Sequence, residues 1–361
     1  MSPASAKLAV YLSSHGFGHT VRTGAVCAAL AERMAVRFTV VSPAAPHRWP
    51  HSLAADTCWR TSATDAGVVQ SNGIDVDFDA SAQAVTAWQN GFEQTVERES
   101  SWLRGRAFDL VLGDVPAVAF AAAARAGLPS VALANFSWDW IYRRLGFEQA
   151  ADTAARAYGH ADLLLALEPG PPMGAFGRRR SLGLLGRRSR VDRHRLRSRL
   201  GVQPQQRLAL LAMPAIDGAD PPLPEPGYDV LYLDGSAAPR ARADVVPLPA
   251  GFPFVDAVAA ADVVVAKPGY GIIGDAAANG SSLLWTRRQG FPEDPLLETW
   301  IRDHLVSAEV ERERIVRGSW LEDLESLFAL QRADPHPAPA LTAARDELVR
   351  LLEGGGERGG A

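Results

Sequence analysis

Short β-prone apolar runs alternate with stretches in which apolar residues return every three or four positions, along most of the chain. KLAVYLSS is such a run, ended by the glycine-bearing turn HGFGHT, and TGAVCAALAERM then carries helical spacing. VRFTVVS, FDLVLGD and LPSVALANF read as further strands, with AVAFAAAARAG a helix between the last two. Strands separated by crossover helices predict parallel pairing, so the first half is an α/β layer structure. The stretch 168–202 breaks this rhythm with proline, glycine and ten arginines, which predicts an exposed connection. Beyond it RLALLAMP, YDVLYLDG, ADVVVAKPG and SSLLWTR are strands, PFVDAVAAA and IIGDAAANG are helices, and ALTAARDELVRLLE is a closing helix before GGGERGGA. The expected organisation is an N-terminal Rossmann-like domain over 1–167 and a linker with the start of domain two over 168–200. A C-terminal Rossmann-like domain over 201–335 and a helix with a disordered tail over 336–361 complete it. Two such domains are expected to face across a cleft lined by the C-terminal ends of their strands, where α/β sheets bind ligands.

Composition narrows the classes. The 361 residues are 47% hydrophobic and 22% charged, enough apolar side chain for two cores and incompatible with a disordered or fibrous chain. No run approaches the roughly 20 apolar residues of a membrane span, and no signal peptide is read at the start. Cys27 and Cys58 lie in no metal-binding or disulfide spacing, so the expectation is a cytoplasmic protein with neither disulfide framework nor zinc site. A net charge of −4 argues against nucleic acid as the main partner. Only Lys7 and Lys267 among the 37 basic residues are lysine, a bias attributed to a GC-rich genome.

Four segments carry candidate chemistry. Ser13 to Thr20, where the first strand meets its helix, holds His15 and His19 among glycines that let backbone amides approach a ligand. An imidazole there suits a general base, with His19 placed to take a proton from a hydroxyl. Local hydrogen bonding of both histidines is the bland alternative, and a dinucleotide fingerprint fits poorly because its third glycine and its acidic residue are missing. Asp114 closes the strand FDLVLGD, where a carboxylate would orient His19 or cap the next helix. The segment Ala134–Tyr142 interleaves Asn135, Ser137 and Asp139 with Trp138 and Trp140, offering ring faces and polar tips to a sugar or base, or plain core packing. Lys267-Pro268-Gly269-Tyr270-Gly271, running into the helix with Asp275, offers amides, a helix N-terminus and a point charge to a diphosphate. Glu293 and Asp294 follow the next strand, as sugar contacts or as a solvated loop. The arginines from Arg178 to Arg199 read better as a solvated linker and helix face than as an anion-steering patch.

On these motifs the sequence resembles GT-B glycosyltransferases of the MurG-like kind, through ADVVVAKPGYGIIGDAAANG followed by EDPLLE. It is more closely similar to the glycosyltransferase-like N-terminal domain of plant L-arabinokinases and its stand-alone bacterial relatives, through SSHGFGHTVR, VVQSNGIDVDFDAS, FDLVLGDVPAVAFAAAARAGLPSVALANFSWDWIY, PPMGAF and KPGYGIIGDA. The resemblance implies a GT-B fold, His19 as catalytic base and Asp114 as its partner. It further implies Gly269, Gly271 and Asp275 at the donor diphosphate and ribose. Three departures stand out: Asp275 where the pattern has Glu, Ala212 to Gly218 where it has a glycine-rich turn, and no sugar-kinase domain.

The reading is therefore a metal-independent transferase without cofactor, moving a sugar from a nucleoside diphosphate, expected to be UDP, to a small soluble acceptor with inversion. Donor contacts are assigned to Lys267, Gly269, Tyr270, Gly271, Asp275, Glu293 and Asp294, and acceptor contacts to His15, Asn135, Trp138 and Asp139. The alternatives are a UDP-sugar epimerase or hydrolase on the same fold and a nucleotide-sugar-binding module without turnover. A dinucleotide oxidoreductase is a remote third choice.

Overall fold

The computed structural model describes residues 5–13, 18–43, 46, 49–71, 74–216, 218–225, 230–234 and 241–355. The chain divides into two compact units, one of residues 1–69, 77–185 and 339–361, the other of 70–76 and 186–338.

Unit 1 runs β1 (Ala6–Leu12), α1 (Gly18–Ala31), β2 (Val36–Val41), β3 (Thr57–Arg60), α2 (Phe78–Asn90), α3 (Phe92–Arg104), β4 (Leu110–Asp114) and α4 (Ala117–Ala126). It continues with β5 (Ser130–Ala134), α5 (Trp138–Arg144), α6 (Glu148–Tyr158), β6 (Leu163–Glu168) and β7 (Arg179–Leu184). Its parallel seven-stranded sheet has the order β3-β2-β1-β4-β5-β6-β7. β1 and β4 are buried along most of their length, as strands covered on both faces must be. Strand order reverses between β1 and β4, with Leu12 beside Asp114. Such a reversal is where doubly wound sheets bind ligands.

Unit 2 holds α7 (Arg193–Arg199), β8 (Arg207–Ala212), β9 (Val230–Asp234), β10 (Val245–Pro247), α8 (Phe254–Ala260), β11 (Val263–Ala266) and α9 (Tyr270–Asn279). It ends with β12 (Ser282–Trp285), α10 (Asp294–His304), β13 (Ser307–Glu309), α11 (Arg312–Arg317) and α12 (Leu321–Phe328). Six parallel strands lie in the order β10-β9-β8-β11-β12-β13, reversing between β8 and β11. The helix α13 (Ala340–Gly355) returns to unit 1, where Ala340, Ala344 and Leu348 join the apolar cluster of Val26 and Leu30.

Three features differ from the expected organisation. Within the segment read as a linker, β7 is the edge strand of the first sheet. Its Leu182 and Leu184 are buried while Arg179, Arg180 and Ser181 are exposed, an arrangement an edge tolerates and a central strand does not. Residues 70–76 belong to unit 2, where Ile74 packs with Val263 and Leu284 and Asp75 accepts from the Gln289 amide at 2.9 Å. The closing helix is part of unit 1, and the tail beyond Gly355 lies outside the described residues.

Candidate functional site

The first site grows from the geometry of α1. Residues one turn apart share a helix face, so His19, Arg22 and Thr23 all reach Asp114 at the neighbouring strand end. His19 Nδ1 donates to Asp114 Oδ1 at 2.8 Å. Arg22 Nε donates to Oδ2 at 2.8 Å, its Nη2 donates to Oδ1, and Thr23 Oγ1 donates to Oδ2 at 2.5 Å. The remaining guanidinium nitrogen, Nη1, donates at 2.8 Å to Asn135 Oδ1, whose amide nitrogen donates to the Pro169 carbonyl at 2.9 Å. Asp114 is 0% exposed and His19 4%. Burial by itself would raise the Asp114 carboxyl, but the charge of Arg22 and the hydrogen bonds from Arg22 and His19 outweigh it and hold the group far below the usual carboxylate range. An ionised Asp114 fixes the hydrogen of His19 on Nδ1, which makes Nε2 the nitrogen that can accept a proton. The capping alternative for Asp114 is not what the structure shows, since α4 has no side-chain cap.

Among the expected acceptor contacts, Asn135 is joined to this site through Arg22, whereas His15 lies outside the described residues. Trp138 is buried, with Tyr142 stacked on it at 5.5 Å and Phe136 edge-on at 5.1 Å, while its ring N–H donates to Asp65 at 2.9 Å. The core-packing alternative therefore describes Trp138, and the ligand-stacking face expected of it is covered by Tyr142. Asp139 is half-buried, and that burial raises its carboxyl against the opposing pull of Ser137 and Arg143.

In unit 2 Lys267 follows β11 and Gly269 precedes α9 with an extended backbone. Gly271 faces open space, and Tyr270 packs on the apolar cluster beneath β11. Burial, followed by the charge of Arg288, pushes Lys267 down to about 8 against Asp294 and Asp75. Arg288 donates through Nε to Asp294 at 3.0 and 3.1 Å and through Nη2 to Glu293 at 3.3 Å, and it lies 3.9 Å over the Phe291 ring. Desolvation raises both carboxyls, with Arg288 opposing. The solvated-loop alternative does not hold for this pair, which is buried.

Asp275 departs from its expected ribose contact. It is buried, its Oδ1 accepts from the Arg187 amide at 2.8 Å, and Arg187 Nε approaches Oδ1 and Oδ2 at 3.2 and 3.1 Å. Asn279, one turn along, donates to the Arg187 carbonyl at 2.9 Å and accepts from the Ser189 amide at 3.0 Å. A Cβ on Gly186 would come within 2.1 Å of the Gly274 carbonyl oxygen, so this contact needs glycine. Asp275 anchors 186–189 to α9.

Sequence reasoning assigned no role to Arg22 or Thr23, and it read Arg187 as part of a solvated linker, which its pairing with buried Asp275 corrects. The spacing in HTVRT placed Arg22 and Thr23 on the face of His19, a usable signal. Nothing local marked Arg187, whose partner lies 88 positions away.

No family model matches the chain. Among curated proteins it is 28% identical over 339 residues to the L-arabinokinase of Arabidopsis thaliana, a match covering 90% of this chain and 32% of that protein. The chain thus spans about a third of the length of that relative. Similar solved structures include Arabidopsis thaliana UGT89C1 complexed with quercetin, at TM-score 0.59, 13% identity, and 97% and 94% of the two chains covered. The calicheamicin glycosyltransferase CalG4 has TM-score 0.56, 16% identity and coverages of 97% and 94%. A putative UDP-N-acetylglucosamine 2-epimerase from Listeria monocytogenes has TM-score 0.56, 12% identity and coverages of 98% and 97%. At such identities the likeness is one of fold, and the fold is GT-B. Among the described residues no helix is long and apolar enough to cross a membrane.

Proposed function

We propose that the protein is a glycosyltransferase that moves a sugar from a nucleoside diphosphate, UDP in the first instance, to a hydroxyl of a small acceptor with inversion at the anomeric carbon. The observation that carries this reading is the buried His19–Asp114 pair, 2.8 Å apart at the strand-order reversal of a GT-B unit. His19 Nε2 takes the acceptor proton as its oxygen attacks the anomeric carbon, the bond to the diphosphate breaks, and Asp114 stabilises the imidazolium that forms. Unit 2 holds the donor, with Lys267 and the amides around Gly269 to Gly271 stabilising the departing diphosphate. No metal enters this scheme, so a chelator leaves the rate unchanged.

The fold is shared with a putative epimerase, so the test separates the two chemistries. Purified protein is titrated calorimetrically with UDP, TDP, GDP and NAD, then incubated with the matching nucleotide sugars with and without a panel of hydroxylated acceptors. Product requiring an acceptor, with an inverted anomer by NMR, is the expected result. A free or epimerised sugar formed without acceptor establishes the hydrolase or epimerase alternative. Binding of one diphosphate with no turnover on any acceptor establishes the binding module. A retained anomer removes His19 from the role of base.

A further inference from the structure

Asp114 alone beside His19 poses a problem for a base. A full negative charge 2.8 Å from Nδ1 stabilises the imidazolium, and an imidazole that is already protonated accepts nothing. The structure places a second charge against the same nitrogen: Arg22 Nη2 stands 3.0 Å from His19 Nδ1 while the same guanidinium forks onto both oxygens of Asp114. Among the described residues, the charged groups facing the imidazole are Asp114 from the end of β4 and Arg22 from its own helix. Thr23 and Asn135 add neutral polar groups, and Phe136 adds a ring edge at 5.8 Å. Orientation of the carboxylate does not require a cation, because Thr23 also holds Oδ2 and His19 Nδ1 donates to Oδ1. Charge is what the guanidinium adds.

We propose that Arg22 is a positioning residue whose charge offsets that of Asp114, so that the pair orients His19 without holding it protonated. Two opposite charges at similar distances from one nitrogen leave little net potential there, and the hydrogen bond from Nδ1 to Asp114 survives the cancellation. This rests on the reading of His19 as the base, but its consequences for the imidazole are measurable without any turnover.

The experiment follows the His19 ring by 15N-correlated NMR between about pH 5 and 9 in wild type, Arg22→Gln, Arg22→Lys and the double variant Arg22→Gln/Asp114→Asn. With the cation removed and the carboxylate kept, the protonation midpoint of His19 rises by about one pH unit. Arg22→Lys keeps the charge and leaves the midpoint near that of wild type. The double variant replaces both charges by neutral amides, and its midpoint also stays near wild type. It leaves no buried charge unpaired, so it decides the matter if Arg22→Gln does not fold. An unmoved midpoint in folded Arg22→Gln, or a midpoint in the double variant that falls by about a unit as if Asp114 alone had mattered, overturns the proposal. Where turnover is measurable, the acid limb of the rate profile of Arg22→Gln moves to higher pH, which a merely structural loss does not produce. Absence of transfer with every donor sinks the transferase reading, whereas the ring titration still decides the role of Arg22.

Discussion

At the strand-order reversal of the first sheet one carboxylate, Asp114, is shared by an imidazole, a guanidinium and a hydroxyl, and it stays ionised. In the second unit two carboxylates, Glu293 and Asp294, share one guanidinium, Arg288, and both are held above their usual range. All three carboxylates are buried. Burial pushes each of them the same way, so the number of donors per carboxylate decides the direction of the shift. The first cluster is a fixed ion pair with every guanidinium nitrogen of Arg22 engaged. The second includes Lys267, pushed down to about 8, and its net charge responds to whatever binds. A rigid cluster suits proton transfer and a responsive one suits recognition of an anion.

The largest effect tests the rigid cluster. His19→Ala lowers turnover about 10³-fold while calorimetry returns the wild-type affinity for UDP, and an equal loss of both would show that the histidine serves binding instead. Asp114→Asn comes next. It costs about 10²-fold in turnover, and because it leaves Arg22 buried beside a neutral amide it also lowers unfolding free energy by about 3 kcal/mol in a denaturant titration. The pH dependence has a definite sign. A carboxylate depressed in the folded state contributes stability above its unfolded pKa of about 3.9 and loses it as pH falls below that value. Wild type therefore loses on acidification a contribution that Asp114→Asn no longer has, and parallel acid transitions would refute the assignment.

The same contrast explains how much the sequence discloses. HGFGHT and KPGYG are visible because an apolar strand, a glycine turn and a helix are successive along the chain, and both clusters begin there. The pairing of Asp114 with His19 was readable from strand-end chemistry, whereas the Arg22 guanidinium on the same carboxylate was passed over although HTVRT puts it on the helix face of His19. β7 was hidden because its exposed arginines look like a linker until Leu182 and Leu184 are seen to be buried. The placement of 70–76 in unit 2 depends on Asp75 meeting the Gln289 amide 214 positions on and pairing with Arg312 at 237. No local pattern carries a contact of that span. Asp275 poses the related difficulty that a buried acid within a helix looks the same in the sequence whether it faces a ribose or a distant arginine.

The responsive cluster predicts a smaller and pH-dependent effect. Lys267 loses its charge as pH rises through about 8, so affinity for UDP falls across that interval. Lys267→Met lowers the affinity about tenfold at neutral pH and abolishes the dependence. A slope that persists in the variant would place the titrating group elsewhere, with Glu293 and Asp294, both raised by burial, the next to test.

The smallest effect separates anchoring from recognition within one helix. Asp275→Asn removes the charge that Arg187 faces but keeps a side chain able to accept from the Arg187 amide. The expected cost is about 1 kcal/mol of stability, read from the denaturant midpoint, with UDP affinity unchanged. Arg187→Gln lowers stability in the same direction, and the double variant costs less than the sum of the two singles because the second change removes a charge already left without its partner. A ribose-binding Asp275 gives the opposite pattern: affinity falls, stability barely moves, and Arg187→Gln is silent on binding. The two patterns differ in which observable responds, so the result turns on the identity of the partner rather than on the size of the effect.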